Sequence, residues 1–333
     1  MRKLIVIALV LAGLWGGYWY MGASATERAF KTWVAERQTD GWVAESADIS
    51  TRGFPNRFDT IFADLELSDP DTGLSWLAPE FQILALSYKP HHVIAVWPGT
   101  QVIATPEQRI QIAGSDVKGS IMVSPTPDLT LERSSIVLAD ITMSSTAGWT
   151  SALERGQLAT RQLEDGNNRH EIHFEAVNLT PASSFVQSLD ADDLLPPVFE
   201  GVTLKANVDF TAPWDRTAIE KARPQVSRLD LNELKAKWGE LELWLAGAVD
   251  VDAQGIPTGN ITIKARNWRQ MIEIARMSGA LAPELVSTVT GALQFVAGLS
   301  GDDKTLDVPL RLSGGRMFLG PIPIGTAPVI RIR

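Results

Sequence analysis

The chain has 333 residues, a formal net charge of −9 and no cysteine. An apolar fraction of 45% is typical of a globular protein and argues against general disorder. The absence of cysteine excludes disulfides, thiol chemistry and a lipid-modified N-terminal cysteine. The first 25 residues contain two cations and no acid, so the remainder carries a formal charge of −11. Such an acidic protein is a poor partner for nucleic acid or for anionic head groups.

The first element is an uncharged apolar segment, Leu4–Gly22, which follows Arg2 and Lys3. At about 1.5 Å per residue, this segment forms a helix long enough to cross a hydrocarbon core of about 30 Å. The two cations favour a cytoplasmic N-terminus. The far end carries four aromatic residues typical of a membrane interface: Trp15, Tyr18, Trp19 and Tyr20. We therefore predict a single-pass bacterial inner-membrane protein, anchored through residues 4–22, with its C-terminal bulk in the periplasm.

A second interpretation of residues 1–22 is a cleaved secretory signal. Ala23–Ala25 resembles the small-residue site at which such signals are cut. However, the apolar stretch exceeds the ~7–15 residues of a signal core, and the helical pattern continues into residues 26–38. The sequence therefore favours an uncleaved anchor, and both interpretations place the bulk of the chain outside the cytoplasm.

A juxtamembrane helix is predicted over residues 23–41, because Phe30, Trp33 and Val34 recur at helical spacing. From residue 42 to 180, short alternating runs separated by Pro and Gly predict a first β-rich half. Within it, one run predicts a face formed by Ile61, Ala63, Leu65 and Leu67, with Phe62 on the other face. Residues 147–160 are predicted to form a short helix.

The second β-rich half is predicted over residues 181–333 and contains the clearest alternation in the chain. Two helices are expected near residues 268–299, with Pro283 opening the second of them. The predicted fold class is thus mainly β (α+β). An N-terminal transmembrane helix precedes a large antiparallel sheet, able to form a groove, with a few covering helices.

The second half has more apolar strand faces than two modest helices obviously cover. We therefore predict a groove that binds an acyl chain, at about 0.8 kcal/mol per buried methylene. Its predicted lipid-facing residues are Val202, Leu204, Leu241, Leu243, Leu245, Ile261 and Ile263. In the alternative interpretation Leu285, Val289 and Leu293 pack directly on the strand face, and the protein is a structural or assembly module that contacts an envelope protein.

Residues 52–58 interrupt the strand pattern with two cations, two aromatic residues and a turn. One interpretation is a corner that binds a partner or a head group through Arg52, Phe54 and Arg57. The other is a structural bulge or corner in which the arginines pair with Asp59 and Asp64.

No catalytic motif is present: the sequence lacks a nucleophile elbow, a Walker loop and a dinucleotide fingerprint. The four histidines are predicted to diverge, because His91 and His92 are adjacent and His170 and His173 differ by an odd number within a strand. We therefore predict a protein with no catalytic residue, no cofactor and no metal. An uncharacterised hydrolase is the least favoured alternative.

Several segments resemble those of a known family: Trp33 after the anchor, Gly53–Thr60, Ser87–Pro90 before His92–Ile94, and Gly320–Gly325. Over nearly its whole length the chain resembles the uncharacterised alphaproteobacterial family called domain of unknown function 2125. This resemblance implies a Gram-negative inner-membrane anchor with a periplasmic body, and no activity. A looser similarity, to AsmA-like envelope proteins, implies a role in lipid traffic or outer-membrane homeostasis by analogy alone.

Overall fold

The structure is a computed structural model that describes residues 1–164, 168–189, 195–279, 281–299, 304–320 and 322–332. The helices are α1 (Arg2–Thr39), α2 (Ser183–Leu189), α3 (Arg216–Glu220), α4 (Trp268–Met277) and α5 (Pro283–Leu299). The strands are β1 (Val43–Glu45), β2 (Asp48–Arg52), β3 (Arg57–Asp69), β4 (Leu74–Leu86), β5 (Lys89–Val96), β6 (Gln101–Ala104), β7 (Arg109–Ala113), β8 (Asp116–Val123), β9 (Leu131–Ser145), β10 (Thr150–Gln162), β11 (Arg169–Thr180), β12 (Phe199–Phe210), β13 (Val226–Trp238), β14 (Leu241–Val251), β15 (Pro257–Arg266), β16 (Thr305–Ser313), β17 (Arg316–Leu319) and β18 (Ile322–Thr326).

Strands account for 52% of the structure and helices for 24%, which confirms the predicted fold class. The chain divides into two compact units. The first comprises residues 1–125 and 136–148, and the second comprises residues 126–135 and 149–333. Strands β10 and β11, which the sequence suggested as part of the first half, thus lie in the second unit.

The predicted anchor and juxtamembrane helix form one continuous helix, α1. Its C-terminal half packs on β1–β4, where the rings of Phe30 and Phe62 lie 5.2 Å apart, edge to face. Val34, one turn further along α1, is buried in the same core cluster as Phe62. Trp33, predicted on the same helix face, is instead exposed. The buried face follows Phe30 and Val34 at i, i+4 spacing, and Trp33 is turned away from it.

The predicted alternation along β3 is wrong for its first part. Phe62, expected on the polar face, is buried in the core together with Leu65, although the two differ by an odd number. The phase of burial changes at Asp64, whose φ of +46° is left-handed. An aspartate tolerates this conformation better than most residues, and it reverses the faces of the strand.

The second unit is an antiparallel meander, in which each strand from β10 to β18 pairs with the next. Residues 147–160, predicted to be helical, belong mostly to β10, which pairs with β11 from Ala152 to Gln162. The long ladder of hydrogen bonds to β11 overrides the weak local helical pattern.

We call the sheet face that carries Leu243, Ala265 and Leu306 the inner face, and the opposite one the outer face.

Helices α4 and α5 cover the inner face over β14–β16. Val289 and Leu293 of α5 are buried in one cluster with Ala265, Leu306 and Val308, and Leu285 packs at its margin. The C-terminal segment covers a neighbouring part of the sheet through Ala327 and Ile330. Towards β10 and β11 the apolar face becomes exposed, at Leu158 and Phe174. The helices therefore fill one end of the apolar face and leave the other end open.

This packing predicts a clear difference between two residues of α5. Leu293 is 3% exposed and Phe295 is 70% exposed. We expect Leu293→Ala to lower the free energy of unfolding by about 2–5 kcal/mol, because it leaves a cavity under the sheet. Phe295→Ala, the matched control, should change it by less than about 0.5 kcal/mol. Urea unfolding of the detergent-solubilised chain measures both, and equal effects would contradict the packing described.

Candidate functional site

A groove of about 820 Å³ crosses six neighbouring strands of the second unit, β11 to β16. Five inter-strand spacings of about 4.8 Å make it about 24 Å long. Two rows of side chains form its walls, running across the strands: Val177, Gly201, Lys237, Glu242, Arg266 and Thr305 in one row, and Thr203, Lys235, Trp244, Lys264 and Asp307 in the other.

The groove lies on the outer face of the sheet. Its floor is the row between the two walls: Ala176, Val202, Ala236, Leu243, Ala265 and Leu306. Because side chains alternate along a strand, the floor residues point to the inner face and offer the groove mainly backbone. Ala265 and Leu306 confirm this direction, since both are buried against α5. We call this site the outer-face groove.

The walls of the groove are cationic, although the whole protein is acidic. They carry four cations, Lys235, Lys237, Lys264 and Arg266, against the two acids Glu242 and Asp307. This local excess of positive charge makes the groove a candidate site for an anion.

The ion pairs of the groove are exposed and therefore weak. Lys264 lies 3.1 Å from Asp307, Arg266 lies 3.8 Å from Glu242, and Lys235 lies 3.3 Å from Glu233, which is not among the lining residues. Lys237 forms no ion pair with any residue that the structure describes. Exposed pairs of this kind contribute about 0–1 kcal/mol, so an incoming anion can replace the carboxylates at little cost.

Trp244 stands at the centre of the groove and is exposed. The ammonium groups of Lys235 and Lys264 lie 4.8 and 5.9 Å from the centroid of its ring. Both distances are within the reach of a cation–π interaction, which holds the two cations beside the indole. The groove thus combines an apolar surface with positive charges along one line.

The seven predicted lipid-facing residues do not come together in this groove. Val202 and Leu243 contribute to its floor. Leu241 and Ile261 are buried. The other three are partly buried against the core clusters of the inner face: Leu204, Leu245 and Ile263.

The charged residues that line the groove follow a pattern that is visible in the sequence. Lys235-x-Lys237 and Lys264-x-Arg266 place cations at every second residue, and Trp244 lies on the strand between them. Such spacing puts cations on one face of a sheet. The signal depends on knowing that the three strands are neighbours.

The corner predicted over residues 52–58 lies against α1. The indole Nε1 of Trp15 donates a hydrogen bond to the carbonyl of Pro55 (3.0 Å), and that of Trp19 donates to the carbonyl of Arg57 (2.7 Å). The hydroxyl of Tyr18 donates to the carbonyl of Ser87 (2.6 Å). Phe54 is exposed. We call residues 53–58 together with Ser87–Lys89 the docked corner.

The structural interpretation of the corner expected its arginines to pair with Asp59 and Asp64, and one of these pairs is present. The guanidinium of Arg57 lies 3.0 Å from the carboxylate of Asp59. Asp64 lies further along β3, at the point where the buried face of the strand changes sides. Arg52 is exposed at the end of β2. A head-group contact of Arg52, Phe54 and Arg57 stays a prediction.

Among the residues that the structure describes, no group of three His, Asp or Glu side chains could hold a metal ion. His170 is the most enclosed histidine, at 1% exposed. Its Nδ1 lies 3.3 Å from the hydroxyl of Thr160, and its ring meets that of Phe210 edge to face. Burial lowers the pKa of His170, because it disfavours the charged imidazolium.

The sequence matches the profile of a family described as uncharacterized protein conserved in bacteria (DUF2125), over residues 19–328. The chain belongs to this family. The matched region begins within α1 and contains the docked corner and the outer-face groove. No curated protein and no solved structure gives a significant match.

The lowered pKa of His170 predicts a loss of stability in mild acid. In the unfolded chain this histidine titrates near pH 6.5, and in the folded chain only at lower pH. Below about pH 6.5 the unfolded state therefore binds more protons, and the free energy of unfolding falls as the pH decreases towards the folded pKa. Denaturant unfolding between pH 7.5 and 5 measures this slope.

Two variants isolate this contribution of His170. His170→Gln should flatten the pH dependence over this interval, because the buried titrating group is gone. His173→Gln, on the same strand but the opposite face, should retain the slope. An unchanged slope in His170→Gln would contradict the assignment.

Proposed function

We propose that this protein is a membrane-anchored periplasmic binding protein, not an enzyme, and that it binds an anionic phospholipid in the outer-face groove. The observation that carries the proposal is the combination of Lys235, Lys237, Lys264 and Arg266 with the exposed ring of Trp244 along one groove.

The chemistry of the groove suits an amphiphile. The phosphate of the lipid would pair with Lys237, which forms no ion pair among the described residues, and with Arg266, whose pair with Glu242 is long and exposed. An acyl chain would lie over Trp244 and the methylene stems of the neighbouring lysines, which offer apolar surface below a charged end. A volume of about 820 Å³ lies within the range of small-molecule sites.

The anchor supports a lipid as the ligand. α1 is a helix long and apolar enough to cross a membrane. A body tethered to a bilayer meets lipids at a high effective concentration, so a modest affinity suffices for binding. The overall acidic charge favours a ligand bound in a defined cationic groove over one bound to a broad basic surface.

A second candidate function is an assembly module that binds an envelope protein. Val289 and Leu293 pack directly on the strand face, so the helices of the protein itself fill much of the apolar surface that the sequence suggested for lipid. In this interpretation the outer-face groove would receive an acidic segment of a partner protein.

The lipid proposal predicts the effect of removing two cations. Lys237→Ala/Arg266→Ala should weaken binding of short-chain phosphatidylglycerol by at least about tenfold, since a charged hydrogen bond contributes about 1.5–3 kcal/mol. Calorimetric titration of the full-length protein in a non-ionic detergent measures this change. Short-chain phosphatidylcholine, which has no net charge, should bind more weakly to the unmodified protein.

A matched double variant controls for the loss of charge. Arg109→Ala/Lys118→Ala removes two exposed cations from the first unit and should leave phosphatidylglycerol binding unchanged. Equal losses in both double variants would contradict the groove as the site. A photo-crosslinking residue at Thr203, activated in cells, separates the candidates: lipid adducts support the first, and one defined protein adduct supports the second.

A further inference from the structure

The docked corner is attached to a part of α1 that belongs to the apolar segment. Its three hydrogen-bond donors, Trp15, Tyr18 and Trp19, all precede Gly22, where the uncharged run ends. Gly22 lies against the ring of Phe58 so closely that a Cβ there would approach it to 2.6 Å. The corner and the aromatic end of the apolar segment therefore occupy the same level along the axis of α1.

The length of α1 that precedes its first contact with the corner limits the position of the bilayer along the helix. Only eleven residues, Leu4–Leu14, lie between the N-terminal cations and the first docked residue. At about 1.5 Å per residue they cover about 16 Å, against about 30 Å for a hydrocarbon core. If the whole corner remained in water, half of the bilayer would have no helix to cross it. The corner must therefore share the level of the bilayer.

The backbone of the corner is suited to such a position. Its N–H groups at Asn56 and Arg57 both donate to the carbonyl of Gly53, and that of Ser87 donates to the carbonyl of Asn56. The carbonyls of Pro55, Arg57 and Ser87 accept from the side chains of α1. These bonds satisfy backbone groups of the corner within the protein, which lowers the cost of bringing that backbone into the less polar membrane interface.

The side chains of the corner that face away from the body are those of an interface. Phe54 is 62% exposed and Tyr88 is 56% exposed. Tyr20 and Met21 of α1, at the same level, are also exposed. Aromatic residues with basic neighbours such as Lys89 are typical of the head-group region, where the amine can reach the water.

We propose that the docked corner inserts into the membrane interface beside α1, with Phe54 and Tyr88 among the lipids, and that the apolar segment is retained in the mature protein. Cleavage after Ala25 would remove all three hydrogen-bond donors and cut α1 beside Ala23, which is buried. The inference rests on the membrane anchoring in the proposed function and is independent of ligand binding in the outer-face groove.

The absence of cysteine allows a direct test with single labelled cysteines. The full chain is reconstituted in nanodiscs that contain lipids brominated near the head group, and an environment-sensitive fluorophore is attached at one position. Tyr88→Cys and Phe54→Cys report on the corner. Leu74→Cys, at an exposed apolar residue of the same unit, is the matched control. Leu9→Cys, in nanodiscs with bromine deep in the acyl chains, reports on insertion of the helix.

We expect a blue shift and a loss of fluorescence at positions 54 and 88, and neither at position 74. Quenching at position 9 without quenching at position 88 would overturn the insertion of the corner but leave the anchor intact. Absence of quenching at position 9 would overturn the anchoring itself, and with it this inference. Titration of the groove with short-chain lipid is a separate measurement, so failure of the corner to insert is distinguished from failure of the groove to bind lipid, whereas loss of quenching at position 9 counts against the anchoring that both proposals contain.

A pair of glycine variants tests the contact between the corner and α1. Gly22→Val should push the ring of Phe58 away and reduce quenching at position 88. Gly17→Val is the control, because a Cβ at Gly17 meets nothing within 4 Å. Equal quenching at position 88 in both variants would show that insertion of the corner does not depend on the contact between Phe58 and Gly22 of α1.

Discussion

The hydrogen bonds from the aromatic side chains of α1 to the carbonyls of the docked corner are the constraint on which the first unit depends. They fix the helix to the sheet at Pro55, Arg57 and Ser87, before the apolar segment has ended. Beyond Gly22 the same helix continues into the core, where Phe30 packs on Phe62. Since α1 is unbroken from Arg2 to Thr39, the orientation of the sheet of the first unit follows that of the apolar segment, and no flexible linker separates them.

The second unit follows a different rule, which is the alternation of side chains across a wide antiparallel sheet. Over β14–β16 one parity of each strand meets α4, α5 and the C-terminal segment, and the other parity faces the outer side of the sheet. The same alternation makes the groove, because small and apolar residues such as Ala236 and Leu243 direct their side chains inward, and the cations beside them stand outward as walls. A single binary pattern thus produces both the core and the candidate site.

Local patterns in the sequence predict the elements that depend on neighbours along the chain. The structure contains a helix at the apolar run, and that helix continues through Val34. It also contains the strands around Leu204 and Leu243, whose apolar residues alternate clearly in the sequence. Other features depend on partners that the sequence does not display. The change of phase in β3 requires the left-handed backbone of Asp64, and β10 is a strand because β11 lies beside it. The cationic groove exists only once β13, β14 and β15 are known to be neighbours.

The difference between overall and local charge bears most directly on function. A formal charge of −9 predicts that anionic lipids are repelled at long range. Within a Debye length of about 8–10 Å, however, the potential depends mainly on nearby side chains, and those that line the groove are four cations and two acids. We expect an acidic protein with a cationic groove to avoid broad adhesion to an anionic surface and yet to offer an anion a defined site. Under the proposed function, in which α1 anchors the protein, such a distribution would permit binding of a single lipid without adsorption of the whole surface.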